Sequence, residues 1–443
     1  MQVPTTQVTN SFETLAGRLQ TRTARVGVLG LGYVGLPLAM ACADAGFRAT
    51  GFDINPERVD GLVNGVSEIT DVHSRRVMQA LHEGKFAATT DFSALPDMDV
   101  LIICVPTPLR KSRDPDLTFV LSAAEEVAAH LRPGQLVILE STTYPGSTED
   151  IVLPRLQAHG LKVGEDFFLA YSPERVDPGN ARFKTENIAK IVAGVTPRCR
   201  RLAASLYSQV VGGVMEVSNT RVAEMVKLLE NTFRAVNIAL VNELAQMCKH
   251  MDIDVWEVID AAATKPFGFM PFFPGPGLGG HCIPVDPIYL QWKATIDGFV
   301  PELIHLADKI NRGMPRYVVM RVMEILSEAG RPLSRTWIHV LGVAYKKDVC
   351  DTRESPALEV IKLLRERGAT VSYSDPFVDS ITIGDELLES KRPTPQLLEL
   401  CHLALILTDH SGFDYEEITR QAPLVFDTRN ATRGIEASNL RRL

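Results

Sequence analysis

The chain has 443 residues, of which 45% are hydrophobic and 23% are charged, and its formal net charge is −8 at pH 7. This length allows two or three domains with separate cores, and the composition is that of an ordinary soluble protein. The negative charge argues against a nucleic-acid partner, because proteins that bind phosphate backbones are usually basic.

The cysteines, histidines and apolar segments limit the compartment and the kind of site. The seven cysteines are scattered and form no C-x-x-C pair, which favours reduced thiols over disulfides or a zinc knuckle. The histidines have no H-E-x-x-H or comparable spacing, so we expect no metal site. No segment approaches the roughly 20 apolar residues of a membrane span, and the N-terminus lacks a signal-peptide core. The sequence therefore predicts a cytoplasmic protein without a membrane partner.

The N-terminal half alternates strands and helices, which is typical of a parallel α/β sheet. A short amphipathic helix is predicted at residues 11–19, within an N-terminal extension of residues 1–24. We interpret residues 25–215 as one doubly wound, Rossmann-like domain. Its predicted strands are residues 26–29, 48–52, 99–105, 136–140 and 167–170.

A glycine-rich turn, Gly30-Leu31-Gly32-Tyr33-Val34-Gly35, follows the first predicted strand and opens a helix. In dinucleotide-binding domains such glycines allow a tight turn, close approach of the pyrophosphate, and packing of helix on strand. Asp53 ends the second predicted strand, where its carboxylate can bind ribose hydroxyls and repel a 2′-phosphate. NAD is therefore favoured over NADP, although the nearby Arg58 could accommodate that phosphate.

Three further loops follow predicted strands, at the edge of the sheet where ligands bind in open α/β folds. The loops Val105-Pro106-Thr107-Pro108 and 140–146 are expected to line the cofactor cleft, although a generic turn explains each equally well. The third loop, residues 172–180, contains Glu174, which can orient a water or transfer a proton. A surface turn is the alternative for this loop.

Residues 219–251 carry apolar side chains at helical spacing without glycine or proline, and Asn219 is a suitable N-cap. A helix of this length, about 48 Å at ~1.5 Å per residue, exceeds one small domain. We interpret it as a spine that joins two α/β domains and contributes to a dimer interface; a core helix of a monomer is the alternative. Lys227 and Asn231 share one face and could stabilise an oxyanion, although such a pair usually belongs to a solvated face.

A cysteine lies inside the glycine-rich run Gly277-Leu278-Gly279-Gly280-His281-Cys282-Ile283-Pro284-Val285-Asp286. Glycines let the backbone approach a ligand closely, because no Cβ intervenes. The Cys282 thiol, with a carboxylate four residues on, has the layout of a nucleophile that faces substrate and water. Because the chain also has a dinucleotide-binding turn, this run predicts oxidation of an alcohol to a carboxylate through a covalent thioester.

Residues 216–330 are predicted to form a helical middle domain, and residues 331–443 a second Rossmann-like domain that begins with a short polar linker. This domain echoes the first, with Asp375 in the place of Asp53, but it lacks the glycine fingerprint and should not hold a dinucleotide. The predicted fold is α/β, with two doubly wound domains joined by a long central helix and a helical middle domain. The predicted elements of the last domain are strands at 337–341, 370–373, 403–407 and 424–426 and a helix at 356–367.

Basic side chains follow the strands of the last domain. They suit a diphosphate, because lysine and arginine bind phosphate oxygens, whereas a surface charge cluster is the alternative. The segments are Tyr345-Lys346-Lys347-Asp348, Asp351-Thr352-Arg353-Glu354-Ser355 and Asp427-Thr428-Arg429-Asn430.

Taken together, these motifs resemble those of the UDP-glucose/GDP-mannose dehydrogenase family. They occur in the family's order from about Ala24 to Asn430, as GLGYVGLP, VPTP, ESTTYPG, SPER, KLLEN, GGHCIPVDP and YKKD…DTRESP. The run from Lys265 to Cys282 is similar to that of the bacterial UDP-N-acetylglucosamine 6-dehydrogenases, whereas UDP-glucose dehydrogenases more often have a GGSC-type sequence.

The resemblance implies oxidation of the C6 hydroxyl of a UDP-N-acetylhexosamine to the uronic acid, with two NAD⁺ per turnover. It favours UDP-N-acetylglucosamine and a role in surface polysaccharide synthesis, such as capsule or O-antigen. UDP-N-acetylmannosamine, UDP-N-acetylgalactosamine and UDP-glucose stay open as substrates, and a homodimer through the long helix is implied. A two-electron dehydrogenase of the hydroxyacid or 6-phosphogluconate kind and an inactive sugar-nucleotide-binding regulator are the competing interpretations.

The resemblance also implies roles for single residues. Cys282 would capture the C6 aldehyde, Lys227 would stabilise the oxyanion and Asn231 would hold the reacting centre. The residues implied in water positioning and proton transfer are Asp286, Thr142 and Glu174. The residues implied in NAD binding are Gly30, Gly32, Tyr33, Val34, Gly35, Asp53, Arg58, Pro106, Thr107, Thr142 and Arg353. The residues implied in UDP-sugar binding are Glu174, Arg175, Val176, Lys227, Asn231, Phe273, Pro274, Gly277, Gly279, Tyr345, Lys346 and Arg429.

The sequence departs from the family at one position near Glu174. Many relatives carry a second glutamate four residues after the first, where this chain has Pro178. Any role of that second glutamate cannot be transferred to this chain.

Overall fold

The computed structural model describes residues 11–69, 71–176 and 187–443. The chain divides into two compact units, Met1–Glu230 and Asn231–Leu443, and each has its own parallel sheet. This is the α/β architecture that the sequence predicts. Pro178 lies outside the described residues.

The described residues of the first unit form eight strands and seven complete α-helices. Its strands are β1 (Arg25–Leu29), β2 (Arg48–Phe52), β3 (Phe86–Thr89), β4 (Val100–Ile103), β5 (Leu136–Leu139), β6 (Phe168–Tyr171), β7 (Lys190–Gly194) and β8 (Val214–Glu216). Its helices are α1 (Ser11–Gln20), α2 (Gly35–Asp44), α3 (Pro56–Val63), α4 (Ser74–His82), α5 (Thr118–His130), α6 (Leu153–Leu156) and α7 (Pro197–Val210).

The strands of the first unit form one sheet in the order β3-β2-β1-β4-β5-β6-β7-β8. Neighbours run parallel, except that β7 is antiparallel to β6. The central strands β4 and β5 are apolar and buried along their whole length, as expected when helices cover both faces of a parallel sheet. The strand order reverses between β1 and β4, and in open sheets ligands bind beside such a reversal.

The predicted N-terminal helix is confirmed as α1, and it packs into the core of the first unit. Leu15 and Leu19 are buried, and the Phe12 ring lies edge-on to Phe168 of β6 at 6.0 Å between centroids. Arg18 also forms an ion pair of 2.6 Å with the buried Asp99. The helix is therefore part of this unit rather than a detached tail.

The second unit contains seven strands and six further helices. Its strands are β9 (Trp337–Leu341), β10 (Thr370–Ser374), β11 (Ser380–Ile383), β12 (Glu386–Glu389), β13 (Leu403–Ile406), β14 (Val425–Asp427) and β15 (Leu440–Arg442). Its helices are α9 (Val255–Ala263), α10 (Asp286–Ile296), α11 (Glu302–Glu328), α12 (Pro356–Glu366), α13 (Pro395–Leu400) and α14 (Tyr415–Gln421).

The main sheet of the second unit has the order β10-β9-β13-β14-β15 and is parallel throughout. Asp375, just after β10, accepts hydrogen bonds from the backbone N–H groups of Val343 and Ala344, after β9. In the first unit Asp53 accepts the corresponding bond from Leu31. The predicted similarity between the two domains therefore extends to an acidic residue that, in each domain, links the ends of two neighbouring strands.

The long helix α8, Thr220–His250, is a single element of 31 residues whose N-terminal part belongs to the first unit and whose remainder belongs to the second. Asn219 caps it, because its side-chain oxygen accepts a hydrogen bond from the Val222 N–H. The apolar residues that mark the helix in the sequence are largely exposed in the single chain: Val222, Met225, Leu229, Phe233, Leu240 and Met247. The buried face instead carries Glu224, Lys227, Asn231 and Asn242.

The sequence-based assignment misses the strands β3, β7, β8, β15 and the hairpin β11–β12. Most of these are short and partly exposed, whereas β7 is buried along all five residues. The predicted strand at residues 99–105 is also too long, because the observed strand β4 ends at Ile103, before the proline-rich loop. Prolines cannot continue a central strand, since they lack the N–H donor. Over the described ranges, no helix combines the length and apolarity needed to cross a membrane.

Candidate active site

The glycine turn after β1 has the shape that a bound dinucleotide needs. Gly30 has a φ of +91°, and a Cβ there would lie 2.8 Å from the Cys104 carbonyl oxygen. A Cβ on Gly35 would lie 1.8 Å from the Gly30 carbonyl oxygen, whereas one on Gly32 would meet no atom within 4 Å. The outer glycines are therefore required by the protein's own packing, and the middle one borders open space at the start of α2. Tyr33 and Val34, both half-buried, complete the turn.

Asp53 is buried at the end of β2 and is fixed by several donors. Its Oδ2 accepts hydrogen bonds from the Leu31 N–H at 2.8 Å and from Nη1 of Arg58 at 3.1 Å, and its Oδ1 accepts one from the Asn55 N–H. In the sequence, Arg58 is the residue that could accommodate a 2′-phosphate. In the structure, its ion pair with Asp53 offsets its charge. This arrangement fits NAD.

The loops after β4 and β5 lie side by side, because the Ser141 hydroxyl donates to the Val105 carbonyl at 2.7 Å. Thr107 and Thr142 are half-buried in these loops, and Pro106 is exposed. The sequence places all of these residues at one sheet edge, and the structure does so too.

Glu224, on the buried face of α8, anchors the loop after β5. It accepts hydrogen bonds from the N–H groups of Gly146 and Thr148 and from the Thr148 hydroxyl, at 2.6–2.8 Å. Burial raises the pKa of its carboxyl to about 7, against the opposing effect of those donors. Sequence reasoning missed Glu224, because it is one of several charged residues on α8 and nothing in its sequence neighbours sets it apart.

Glu174 is held tightly after β6. Its Oε1 accepts hydrogen bonds from the N–H groups of Arg175 and Val176, both at 2.7 Å, and its Oε2 lies 3.1 Å from Nζ of Lys190. Burial opposes ionisation, but Lys190, the Val176 N–H and the charge of Lys227 together hold the pKa of Glu174 below its usual value. Glu174 is thus present as a carboxylate, which makes it an acceptor and an orienting group.

Arg175 and Lys227 differ in what surrounds them. The Arg175 guanidinium forms an ion pair of 2.6 Å with Glu230 and donates to the Ala189 carbonyl. Lys227 is buried, with an exposure of 6%, and its charge acts on Glu174. A buried ammonium is stable only near negative charge, so Lys227 is suited to stabilise an oxyanion.

In the second unit, the structure brings Asn231, Cys282 and Asp286 together. The Asn231 amide donates to Oδ2 of Asp286 at 2.6 Å, and both side chains are buried. The Asp286 N–H donates to the Cys282 carbonyl at 2.8 Å, so the cysteine lies one turn ahead of the carboxylate at the start of α10. The Cys282 side chain is only half-buried. The seven cysteines, all within the described residues, are thiols.

The glycine run packs closely against the basic loop after β9. A Cβ on Gly279 would lie 2.5 Å from the Tyr345 Cβ, and one on Gly280 would lie 2.9 Å from the Tyr345 ring. The Gly280 N–H also donates to the Arg353 carbonyl at 3.0 Å. The predicted nucleophile loop and the predicted diphosphate loop are therefore neighbours, and the glycines are needed for this contact.

Arg429, Lys346 and Arg353 are further predicted ligand-binding residues of the second unit. Arg429 is fixed by a hydrogen bond from its Nε to the Leu407 carbonyl, and its guanidinium occupies the place where a Cβ on Gly275 would fall. Burial lowers the pKa of Arg429, which Asp409 and Asp427 oppose. Lys346 is half-buried. The Arg353 guanidinium pairs with Asp351 and approaches Nδ1 of His281 at 3.3 Å.

A buried amide pair that the sequence analysis did not identify supports the start of the glycine run. Asn242 of α8 accepts a hydrogen bond from the Gly275 N–H and donates to Oδ1 of Asn311 on α11 at 2.9 Å. Pro274 and Gly277 are buried beside this pair, whereas Phe273 is exposed and stacks on Trp256. The available signal in the sequence was a polar asparagine within each of these two helices.

The predicted site residues thus form two sets, one in each unit. The first set is Gly30, Gly32, Tyr33, Val34, Gly35, Asp53, Arg58, Pro106, Thr107, Thr142, Glu174, Arg175, Val176 and Lys227, and the second is Asn231, Phe273, Pro274, Gly277, Gly279, Cys282, Asp286, Tyr345, Lys346, Arg353 and Arg429. Among the described residues, no group of three His, Cys, Asp or Glu side chains is arranged to hold a metal ion.

Comparison with known proteins identifies the family. Residues 24–211 match the NAD binding domain of the UDP-glucose/GDP-mannose dehydrogenase family, residues 221–313 its central domain and residues 339–434 its UDP binding domain. The chain belongs to this family. It is therefore an NAD-dependent UDP-sugar 6-dehydrogenase, as the sequence motifs predict.

The similar proteins differ in their named substrates. The chain is 38% identical to a UDP-N-acetyl-D-glucosamine 6-dehydrogenase of Pseudomonas aeruginosa, over 80% of this chain and 83% of that protein. It is also 38% identical to a UDP-N-acetyl-D-mannosamine dehydrogenase of Pyrococcus horikoshii, over 92% of this chain and 95% of that protein. The solved structure of a UDP-D-ManNAc dehydrogenase from Pyrococcus horikoshii superimposes with a TM-score of 0.87 at 35% identity, covering 94% of this chain and 98% of that chain.

Proposed function

We propose that this UDP-sugar dehydrogenase oxidises the C6 hydroxyl of UDP-N-acetylglucosamine to the carboxylate, through a covalent intermediate on Cys282. The observation that carries the proposal is the arrangement of a half-buried thiol one turn ahead of the buried Asn231–Asp286 pair. This loop also packs against the basic loop after β9. The product would be an activated uronic acid for surface polysaccharide synthesis, in the cytoplasm.

NAD would be held by the glycine turn and Asp53 in the first unit, with Pro106, Thr107 and Thr142 at the adjoining strand ends. When bound, it accepts the two hydride equivalents of the overall oxidation, one per NAD⁺. The N-terminus of α2 carries the positive end of the helix dipole, which favours the pyrophosphate, and Gly32 leaves room for it. Arg353, paired with Asp351, completes the proposed set.

Cys282 carries the covalent chemistry in this proposal. Its thiolate adds to the C6 aldehyde carbon and forms a thiohemiacetal, which becomes a thioester after the second oxidation. Water then attacks the thioester carbon, the C–S bond breaks, and the products are the carboxylate and the thiolate. A covalent bond keeps the intermediate on the enzyme while the nicotinamide cofactor is exchanged.

The neighbouring side chains supply charge and proton transfer. Lys227 stabilises the negative charge that develops on the C6 oxygen. Asp286, held by Asn231, takes the proton of the attacking water, and Thr142 and the Glu174 carboxylate orient that water.

Residues predicted to bind the UDP-sugar occur in both sets. Lys346 and Arg429 bind the diphosphate, because two cations match its negative charge. Tyr345, Phe273, Pro274, Gly277 and Gly279 surround the nucleotide and sugar, and Arg175 and Val176 bind with Glu174 from the first unit. The proposed domains are residues 1–24, 25–215, 216–330 and 331–443, which serve as extension, NAD domain, central domain and UDP-sugar domain.

We also propose that the enzyme is a homodimer through α8. The exposed row of Val222, Met225, Leu229, Phe233 and Leu240 supports this, because contiguous apolar surface on a helix is usually covered by a partner. Light scattering should give twice the mass of one chain in solution. A mass equal to one chain at micromolar concentration would contradict the dimer.

A panel of nucleotide sugars tests the substrate. UDP-N-acetylglucosamine should give the highest kcat/KM among UDP-N-acetylglucosamine, UDP-N-acetylmannosamine, UDP-N-acetylgalactosamine, UDP-glucose and GDP-mannose, with two NADH formed per sugar consumed. A better rate with UDP-N-acetylmannosamine would move the assignment to that sugar. One NADH per sugar would support a two-electron dehydrogenase, and binding without turnover would support a regulator.

A further inference from the structure

We propose that Lys190 is a positioning residue that keeps the Glu174 carboxylate ionised and fixed in orientation during the reaction. Neither the sequence motifs nor the family comparison assigns a role to this lysine. The inference rests on the proposed function, because Glu174 takes part in that reaction.

Lys190 joins two loops at the edge of the first sheet. It begins β7, which runs antiparallel to β6, and β6 ends just before the loop that contains Glu174. Its Nζ lies 2.7 Å from Oε2 of Glu140, directly after β5, and 3.1 Å from Oε2 of Glu174. Lys190 is only 5% exposed. One buried cation therefore bridges carboxylates from two neighbouring strand ends.

The far side of this cluster is closed by Tyr207 of α7. Its hydroxyl donates to Oε1 of Glu140, and Nζ of Lys190 lies 5.3 Å from the centre of its ring. Burial and the charge of Glu140 raise the pKa of Tyr207, so the hydroxyl stays protonated and can act only as the donor to that carboxylate. The ammonium is thus confined between Glu140, Glu174 and the ring.

The two carboxyl groups titrate differently. Burial raises the pKa of Glu140, even though Lys190 opposes this effect. Glu174 is also buried, but Lys190 and the Arg175 and Val176 N–H groups favour its charged form, and its pKa is lowered. Without the ammonium, burial would act on Glu174 with only the backbone donors and Lys227 to oppose it. Its pKa would then rise, because an adjacent opposite charge is lost.

The sign of the pH effect follows from these groups. A reaction that needs the Glu174 carboxylate loses activity as the pH falls through the pKa of Glu174. Removal of the cation raises that pKa, so the acidic limb of the kcat/KM profile moves to higher pH. Among the described residues, the titratable groups whose charges act on Glu174 are Lys190 on β7, Lys227 on α8, Glu140 after β5 and Cys104 after β4. Tyr207 on α7 and Cys42 on α2 act on Glu140.

The test compares pH profiles of five variants, including Glu174→Gln, with the wild type, using the full chain, NAD and UDP-N-acetylglucosamine. Lys190→Met should move the acidic midpoint of kcat/KM up by about one unit or more. Lys190→Arg keeps the cation and should leave the midpoint near that of the wild type. Glu140→Gln removes the competing anion and should not raise it. The double variant Lys190→Met with Glu140→Gln leaves one buried carboxylate instead of two, and its midpoint should lie above that of Glu140→Gln alone.

The double variant keeps the test decisive if Lys190→Met alone does not fold. A midpoint in the double variant equal to that of Glu140→Gln alone would show that Lys190 is only structural, whatever the maximal rate. An unchanged acidic limb in Glu174→Gln would also overturn the inference, because Glu174 would then not be the titrating group.

A second readout separates this inference from the proposed function. Difference infrared spectroscopy of wild type minus Glu174→Gln reports the carboxylate band of Glu174 without turnover. If no nucleotide sugar gives NADH with the wild type, the proposed function fails. As the pH is lowered, the band should then still disappear at a higher pH in the double variant than in Glu140→Gln if Lys190 acts on Glu174.

Discussion

Cys282→Ala is expected to abolish uronic acid formation while NAD and the UDP-sugar still bind. The alanine cannot add to the C6 aldehyde, so no thioester forms and the second oxidation has no covalent substrate. The NADH formed per sugar should therefore fall from two to at most one. Mass spectrometry of the quenched reaction measures the acid, and titration of intrinsic fluorescence measures the binding of both ligands.

Cys350→Ala is the matched control, because Cys350 is also accessible but lies in the basic loop after β9, outside the proposed chemistry. It should keep two NADH per sugar. Acid formation at a wild-type rate by Cys282→Ala would place the nucleophile elsewhere. Loss of binding in that variant would instead point to a structural role of the glycine run.

Asp286→Asn is expected to slow acid formation by about 10²–10⁴-fold, the usual contribution of a general base. Asparagine has the same shape, and its side-chain oxygen can still accept the hydrogen bond from Asn231, which spans 2.6 Å in the native enzyme. Geometry is thus retained while the proton acceptor is lost. The thioester on Cys282 should then accumulate, and intact-protein mass spectrometry after acid quench should detect it.

Asp297→Asn is the control for this variant. Asp297 is the C-cap of the same helix, α10, and its exposed side chain forms an ion pair with Lys293. Its turnover should match that of the wild type. If Asp286→Asn is slow but no acyl adduct builds up on Cys282, the carboxylate acts before hydrolysis, and the assignment of water activation to Asp286 is wrong.

Much of the fold could be predicted from the sequence because its signals are local. The buried strands β4 and β5 are short runs of valine, isoleucine and leucine, and the turn after β1 needs glycines at the positions where a Cβ would collide. The missed strands β8 and β12 are short and largely exposed at sheet edges, so they carry no apolar run. Their formation depends on hydrogen bonds with neighbouring strands.

The candidate site was predictable to the extent that its residues lie in motifs. Cys282, Asp286 and Asn231 were identified one by one, and the structure adds that the last two are bonded to each other. Glu224, Asn242 and Lys190 were missed, because each supports the site through a partner that is distant in the sequence. Lys190 and Glu140, for example, are 50 residues apart.

The sequence by itself determined the two α/β domains, the dinucleotide turn and the thiol within a glycine run, since these depend on neighbouring residues and backbone geometry. Only the tertiary structure decided which face of α8 is buried, and the answer is the face that carries Glu224, Lys227 and Asn231. Helical periodicity marks two faces but cannot say which one the protein covers. A buried charge is stable only where folding brings its counter-charge and donors to it, and that pairing is a property of the folded chain.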